Sequence, residues 1–140
     1  MDNKIKTVEN MLKDIDIKKN LHLKKYIKYK NIDNISKISV SILNGVSISS
    51  IILAIGPQLP FLLILTLCST SVAGLIGIIH QAASISHKLN AHHITYHQYV
   101  DLLRDIKGKI LRNHLISKDY DDMIININIR LTIIEDNELI

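Results

Sequence analysis

Two apolar runs of equal length occupy the middle of the chain. The first covers residues 38–56 and the second residues 61–79, with 19 residues in each. As helices rising about 1.5 Å per residue, each would be about 28 Å long, which matches the hydrocarbon thickness of a bilayer. The turn over residues 57–60 follows Gly56 and contains two prolines, so it ends one helix and starts another beside it. The pattern predicts an antiparallel transmembrane hairpin over residues 38–80.

Amphipathic segments flank this hairpin. Apolar residues at three- and four-residue steps predict a basic helical arm over residues 1–37, joined to the membrane through a polar link at residues 31–36. Residues 81–140 are predicted to form a cytoplasmic helical extension, which continues the second membrane helix because residues 81–90 contain no proline or glycine. Helix contacts in this extension are expected from one apolar stripe, made of Tyr96, Tyr99, Leu103, Ile106 and Ile110.

The end of the chain allows two readings. Ser117 can cap a last helix whose first turn holds Asp119, Asp121 and Asp122. Apolar residues from Ile124 to Ile134 form a helical stripe, but isoleucine and leucine also alternate at period two between residues 125 and 133. A helix is the preferred interpretation, and a strand is the alternative.

The distribution of charge supports the membrane interpretation. No Asp, Glu, Lys or Arg lies between Lys37 and Lys88, whereas residues 1–37 carry a net charge of +5 and residues 88–118 one of +4. Basic flanks around an uncharged turn predict that both termini are cytoplasmic. Residues 119–140 carry −5. Lipid headgroups are the expected partners of the lysines nearest the hairpin, namely Lys24, Lys25, Lys28, Lys30, Lys37 and Lys88.

Two alternatives compete with a membrane protein. The lysines between Lys18 and Lys30 are interleaved with Tyr26 and Tyr29, a pattern also found in nucleic-acid-binding proteins, but juxtamembrane lipid contacts explain them more simply. The hairpin could instead be the buried core of a soluble protein. The rest of the chain is too short to cover two such helices on all sides.

Small and polar residues fall on distinct faces of the membrane helices. Helix packing is predicted along two small-residue lines, namely Ser41, Gly45 and Ser49 on the first helix and Ser69, Ala73 and Gly77 on the second. A candidate pore or oligomer face on the first helix consists of Ser39, Asn44, Ser47 and Ser50. Its hydroxyls could equally bond to carbonyls of their own helix, whereas the amide of Asn44 needs a partner helix or water.

Catalytic chemistry is not indicated by the sequence. His93 and His97 have a helical spacing that can hold a metal, but solvated histidines are the simpler interpretation, and neither a metal nor another cofactor is expected. A pH response of the histidine-rich extension is the other alternative to solvated histidines. No glycine-rich phosphate loop and no nucleophile with a nearby base is present. The single cysteine, Cys68, is expected to be an apolar packing residue.

The order of these parts resembles the SLATT domain family. The similarity is clearest over residues 91–106, where a His is followed by a Tyr-x-x-Leu-x-x-x-Ile-like run at Tyr99, Leu102 and Ile106. Residues 127–130, followed by acids, resemble the last helix of the family. The chain departs from the family in having no Trp and few glutamates in the extension. Such proteins are regarded as membrane effectors, predicted to form pores in nucleotide-triggered defence systems with a separate or fused sensor.

We therefore expect an all-α membrane protein with two spans that forms homo-oligomers in a lipid bilayer. The resemblance implies a pore-forming or membrane-perturbing effector, with a sensor protein as a further partner. The alternative is a structural membrane scaffold, for example of a viral internal membrane. A membrane-shaping hairpin would need shorter spans, and nucleic acid is not an expected partner.

Overall fold

Four helices account for nearly all of the described chain. The computed structural model describes residues 2–55, 60–112 and 117–138. The helices are α1 (Asp2–Ile55), α2 (Pro60–Ala82), α3 (Ile85–Arg112) and α4 (Ser117–Glu138). No strand occurs within these three ranges, which confirms the all-α prediction and the helical interpretation of the chain end. The predicted turn at residues 57–60 lies outside the described residues except for Pro60.

Helix α1 is longer than the sequence suggested. A polar link was expected at residues 31–36, but the helix runs through them without interruption. These residues include no proline or glycine, so nothing in the backbone forces an end. Asp33 is held within the helix by Lys37, whose Nζ donates a hydrogen bond of 2.7 Å to Oδ2 one turn away.

The second departure is a break between α2 and α3, where a continuous helix was expected. Ser84 adopts φ of 50°, a left-handed conformation that costs about 1 kcal/mol for a residue with a Cβ. Its N–H donates to the carbonyl of Gln81 at 2.9 Å, and its carbonyl accepts from Lys88 at 3.0 Å. This geometry ends one helix and begins the next, and it leaves Ile85 buried.

The helices divide between two compact units. One consists of Met1–Tyr26 with Asn90–Ile140, and the other of Ile27–Leu89. Helices α1 and α3 each contribute residues to both units.

The unit formed by Met1–Tyr26 and Asn90–Ile140 is a three-helix bundle. Its core is a continuous cluster of side chains from α1, α3 and α4, namely Val8, Ile15, Tyr99, Leu102, Leu103, Ile106, Met123, Ile127 and Ile134. The predicted contact residues Tyr99, Leu103 and Ile106 thus lie in this core, and Ile110 packs against it. Tyr96 is half-buried and is not among the residues of this cluster.

Two ion pairs show the relative direction of α1 and α4 in this bundle. Lys4 on α1 contacts Asp121 on α4 at 2.5 Å, and Lys18 contacts Glu135 in the same way. Both pairs have the same sequence separation of 117 residues, so these parts of α1 and α4 run parallel. The lysines of the basic arm therefore neutralise part of the acidic tail.

Helices α3 and α4 are joined by a third ion pair. Arg130 donates a hydrogen bond of 2.5 Å to Asp105, and this contact holds the pKa of the Asp105 carboxyl below its usual value. Both side chains are partly exposed, at 38% and 54%, so screening keeps the contribution small. Lys19 likewise lowers the pKa of Asp16 through a hydrogen bond within α1.

We expect Arg130→Gln to lower the free energy of unfolding by about 0.5 kcal/mol at pH 7. A carboxyl whose pKa falls on folding contributes stability above its unfolded value of about 3.9 and loses it on acidification. The difference from the wild type should therefore shrink below about pH 4. Denaturation in detergent, followed by far-UV circular dichroism, measures both. A difference that stays constant down to pH 2 would contradict the assignment.

Candidate functional site

The unit formed by Ile27–Leu89 contains the two apolar helices side by side. Asp33 on α1 meets His80 on α2, and Ser47 meets Ser69, so the two helices run antiparallel as predicted. Both α1 and α2 are long and apolar enough to cross a membrane. In the most apolar window of each helix only 11% of the residues are buried.

The outer surface of this hairpin is apolar. Side chains of large hydrophobic residues that are about 60% exposed or more include Ile38, Ile42, Ile48, Ile52, Phe61, Ile64, Leu67, Ile78 and Ile79. In water such a surface would far exceed the patches that soluble monomers expose. The core of a soluble protein would instead have most of these side chains buried.

Serine and alanine side chains form the contact between α1 and α2. Ser47 and Ser50 are each 4% exposed, Ser69 is 6% and Ala73 is 7%. The Oγ atoms of Ser47 and Ser69 are 2.6 Å apart, so one hydroxyl donates to the other, and the accepting hydroxyl can donate to a carbonyl one turn earlier in its own helix. Hydroxyls satisfied in this way can be buried without a penalty for unpaired polar atoms.

The structure buries some residues of the two candidate faces of α1 against α2 and leaves the others exposed. Ser47 and Ser50, from the candidate pore face, lie against α2, and Ser39 is half-buried. Asn44, from the same candidate face, is exposed. The predicted packing line of α1 is exposed as well, at Ser41, Gly45 and Ser49. On α2, Ser69 and Ala73 make the helix contact while Gly77 is exposed.

Glycine is not what brings the two helices together. A Cβ placed on Gly45, Gly74 or Gly77 would meet no atom within 4 Å. The close approach depends on the small side chains of Ser47, Ser69 and their neighbours. The exposed glycines therefore leave open space on the outside of the hairpin.

A buried polar group lies at the end of the hairpin away from the turn. Asp33 is 4% exposed, and its Oδ1 is 3.1 Å from Nε2 of His80, within ion-pairing distance but without hydrogen-bond geometry. The Nδ1 atom of His80 is also buried without a hydrogen bond in the described part of the chain. Nε2 of His80 lies 3.3 Å from Ser86 Oγ. A cavity of about 320 Å³ adjoins this group and is lined by Ser36, Lys37, Val40, Ser41, Gly77 and His80.

The lysines assigned to lipid headgroups are accessible. Lys24, Lys28, Lys30, Lys37 and Lys88 are exposed, and Lys25 is half-buried. Lys37 keeps 70% of its side chain exposed while bonding to Asp33, so it can neutralise that carboxylate and still reach solvent or lipid.

Two features were not predicted from the sequence. Asp33 pairs with His80 across 47 positions, and His22, 2% exposed, places its Nδ1 atom 3.2 Å from that of His92. A polar residue at the margin of an apolar run is the only sequence signal for the first contact. For the second, no signal in the sequence links the two histidines.

Comparisons with protein-family models, with curated proteins and with solved structures find no match to this chain. Among the described residues, no group of three or more His, Cys, Asp or Glu side chains is arranged to hold a metal ion.

Ser47→Leu should separate the two helices, because a larger side chain has no room beside Ser69. Overpacking of this kind costs about 1–3 kcal/mol. Ser71→Leu is the matched control, since Ser71 is exposed on α2 and its hydroxyl donates to a carbonyl of its own helix. Titration of the detergent-solubilised protein with SDS, followed by circular dichroism, compares the two. Equal stabilities would contradict the contact.

His80→Leu should destabilise the hairpin, since it removes the imidazole whose Nε2 lies 3.1 Å from the buried Oδ1 of Asp33 on the other helix. The double variant Asp33→Asn with His80→Leu should recover part of this loss, because no charge is then buried. His87→Leu, at an exposed position, serves as the control. The same SDS titration measures all three. Absence of any recovery would show that the carboxylate is not the source of the cost.

Proposed function

We propose that this chain is a two-span integral membrane protein that self-associates in the bilayer and acts as a pore-forming or membrane-perturbing effector. The carrying observation is the polar composition of the α1 face that α2 leaves uncovered. Asn44 is exposed there, beside the exposed line of Ser41, Gly45 and Ser49. An amide facing hydrocarbon loses its hydrogen bonds, which costs several kcal/mol.

A second copy of the chain supplies packing and hydrogen-bond partners for this face of α1. Small side chains let another helix approach closely where lipid provides no hydrophobic drive, and an amide can bond across such a contact or to water in a lumen. The hairpin has two helices and cannot enclose a channel by itself, so permeation requires several copies. The basic flanks on both sides of the hairpin support an orientation with both termini in the cytoplasm.

The resemblance of residues 91–106 to the SLATT family supports the effector role over a purely structural one. A scaffold would use the lysine-rich arm and the acidic tail to bind other proteins. Within the three-helix bundle, Lys4 and Lys18 pair with acids of α4, which occupies part of that charge. An anchor or scaffold is the second candidate, and the oligomeric state separates it from an effector.

Gly45→Leu tests the proposed face directly. The new side chain meets nothing inside the chain and replaces a poor helix former, so the monomer should be unharmed or stabilised. Native mass spectrometry in nanodiscs should show a discrete oligomer of about four or more copies for the wild type and smaller species for the variant. Efflux of a small dye from liposomes should be lower for the variant than for the wild type.

Gly74→Leu is the matched control, because it adds the same side chain at an open position on α2. It should leave oligomer and efflux unchanged. A monomeric wild type would favour an anchor or scaffold. An oligomer that survives Gly45→Leu would place the contact elsewhere.

A further inference from the structure

Two histidines on α3 bring the same ring atom close together. His93 and His97 are separated by one helical turn, and their Nε2 atoms are 3.1 Å apart. Two nitrogens at this distance subtend an angle of about 100° at a cation lying about 2.05 Å from each. That angle falls between those of square-planar and tetrahedral coordination, about 90° and about 109°. The spacing therefore suits two ligands of one metal ion.

Neighbouring rings hold the two imidazoles in this arrangement. The Tyr26 ring lies 4.9 Å from that of His93, and the Tyr96 ring 5.2 Å from that of His97. The two histidine rings meet edge to face at 4.5 Å. Packing that limits ring rotation lowers the entropic cost of binding a ligand. His97 is exposed and His93 half-buried, so an ion can reach the pair from solvent.

The chemistry of the donors limits which ion can bind. No third His, Cys, Asp or Glu completes the group in the described part of the chain, so water would fill the remaining positions. Imidazole suits Cu²⁺, Ni²⁺ and Zn²⁺, whereas Ca²⁺ and Mg²⁺ prefer oxygen. Among the suitable ions, affinity follows the order that places Cu²⁺ highest. We propose that His93 and His97 form a binding site for a late first-row divalent metal ion, with Cu²⁺ bound most tightly.

A second pair of histidines is the rival location. The Nδ1 atoms of His22 and His92 are 3.2 Å apart, which is also compatible with a shared ion. However, His22 is 2% exposed, and its ring lies 5.6 Å from that of the buried Tyr99. Access to this pair requires opening of the bundle core, whereas the pair on α3 is accessible in the folded state.

Titration of the untagged full chain with Cu²⁺ alone, in detergent and a non-chelating buffer, tests the site. Calorimetry should give one tightly bound ion per chain, and electron spin echo envelope modulation should show two coordinated imidazoles. His93→Gln should weaken binding at least about tenfold, because the second imidazole then no longer binds intramolecularly. His87→Gln, at an exposed position on the same helix, should leave affinity unchanged.

The double variant H97Q/Q98H provides a matched composition control. It keeps the number of histidines but moves one ring by about 100° around the helix, so chelation with His93 should be lost. Circular dichroism checks that the helix content is unchanged. Wild-type affinity in this variant, or a single coordinated imidazole in the wild type, would overturn the proposal. Loss of binding on His92→Gln with retention on His93→Gln would also overturn it and assign the ion to the rival pair.

Discussion

The uncovered apolar surface of the hairpin is the constraint on which the rest of the structure depends. Two helices in contact can bury only one face each, and here that face is narrow because it is built from serine and alanine. The remaining surface carries large isoleucine, leucine and phenylalanine side chains, together with the exposed polar residues Ser41, Asn44 and Ser49 of α1. No Asp, Glu, Lys or Arg occurs between Lys37 and Lys88, and both helices are long and apolar enough to cross a membrane.

The bundle formed by Met1–Tyr26 and Asn90–Ile140 follows the opposite rule. Its helices alternate apolar and charged positions, bury one stripe each and pair their charges across the surface. The contrast between the uncharged apolar helices and the amphipathic helices is the strongest pattern in the sequence. Helical periodicity and hydropathy therefore predicted the helices and the antiparallel hairpin, and they placed Tyr99, Leu103 and Ile106 on one apolar stripe of α3.

Contacts between distant side chains were less accessible to prediction. Periodicity assigns residues to a face, but it does not say which face meets the neighbouring helix. Ser47 and Gly45 are two positions apart, and the structure buries the first while exposing the second. The break at Ser84 was missed because the residues on either side are compatible with a helix. Its left-handed backbone carries no marker such as glycine.

The absence of charge in the hairpin has an electrical consequence. A membrane potential acts on a protein by moving charge, at about 2.3 kcal/mol per elementary charge for every 100 mV. Residues 38–87 hold no Asp, Glu, Lys or Arg, and the dipoles of antiparallel α1 and α2 oppose each other. In a bilayer the hairpin would thus be nearly indifferent to voltage.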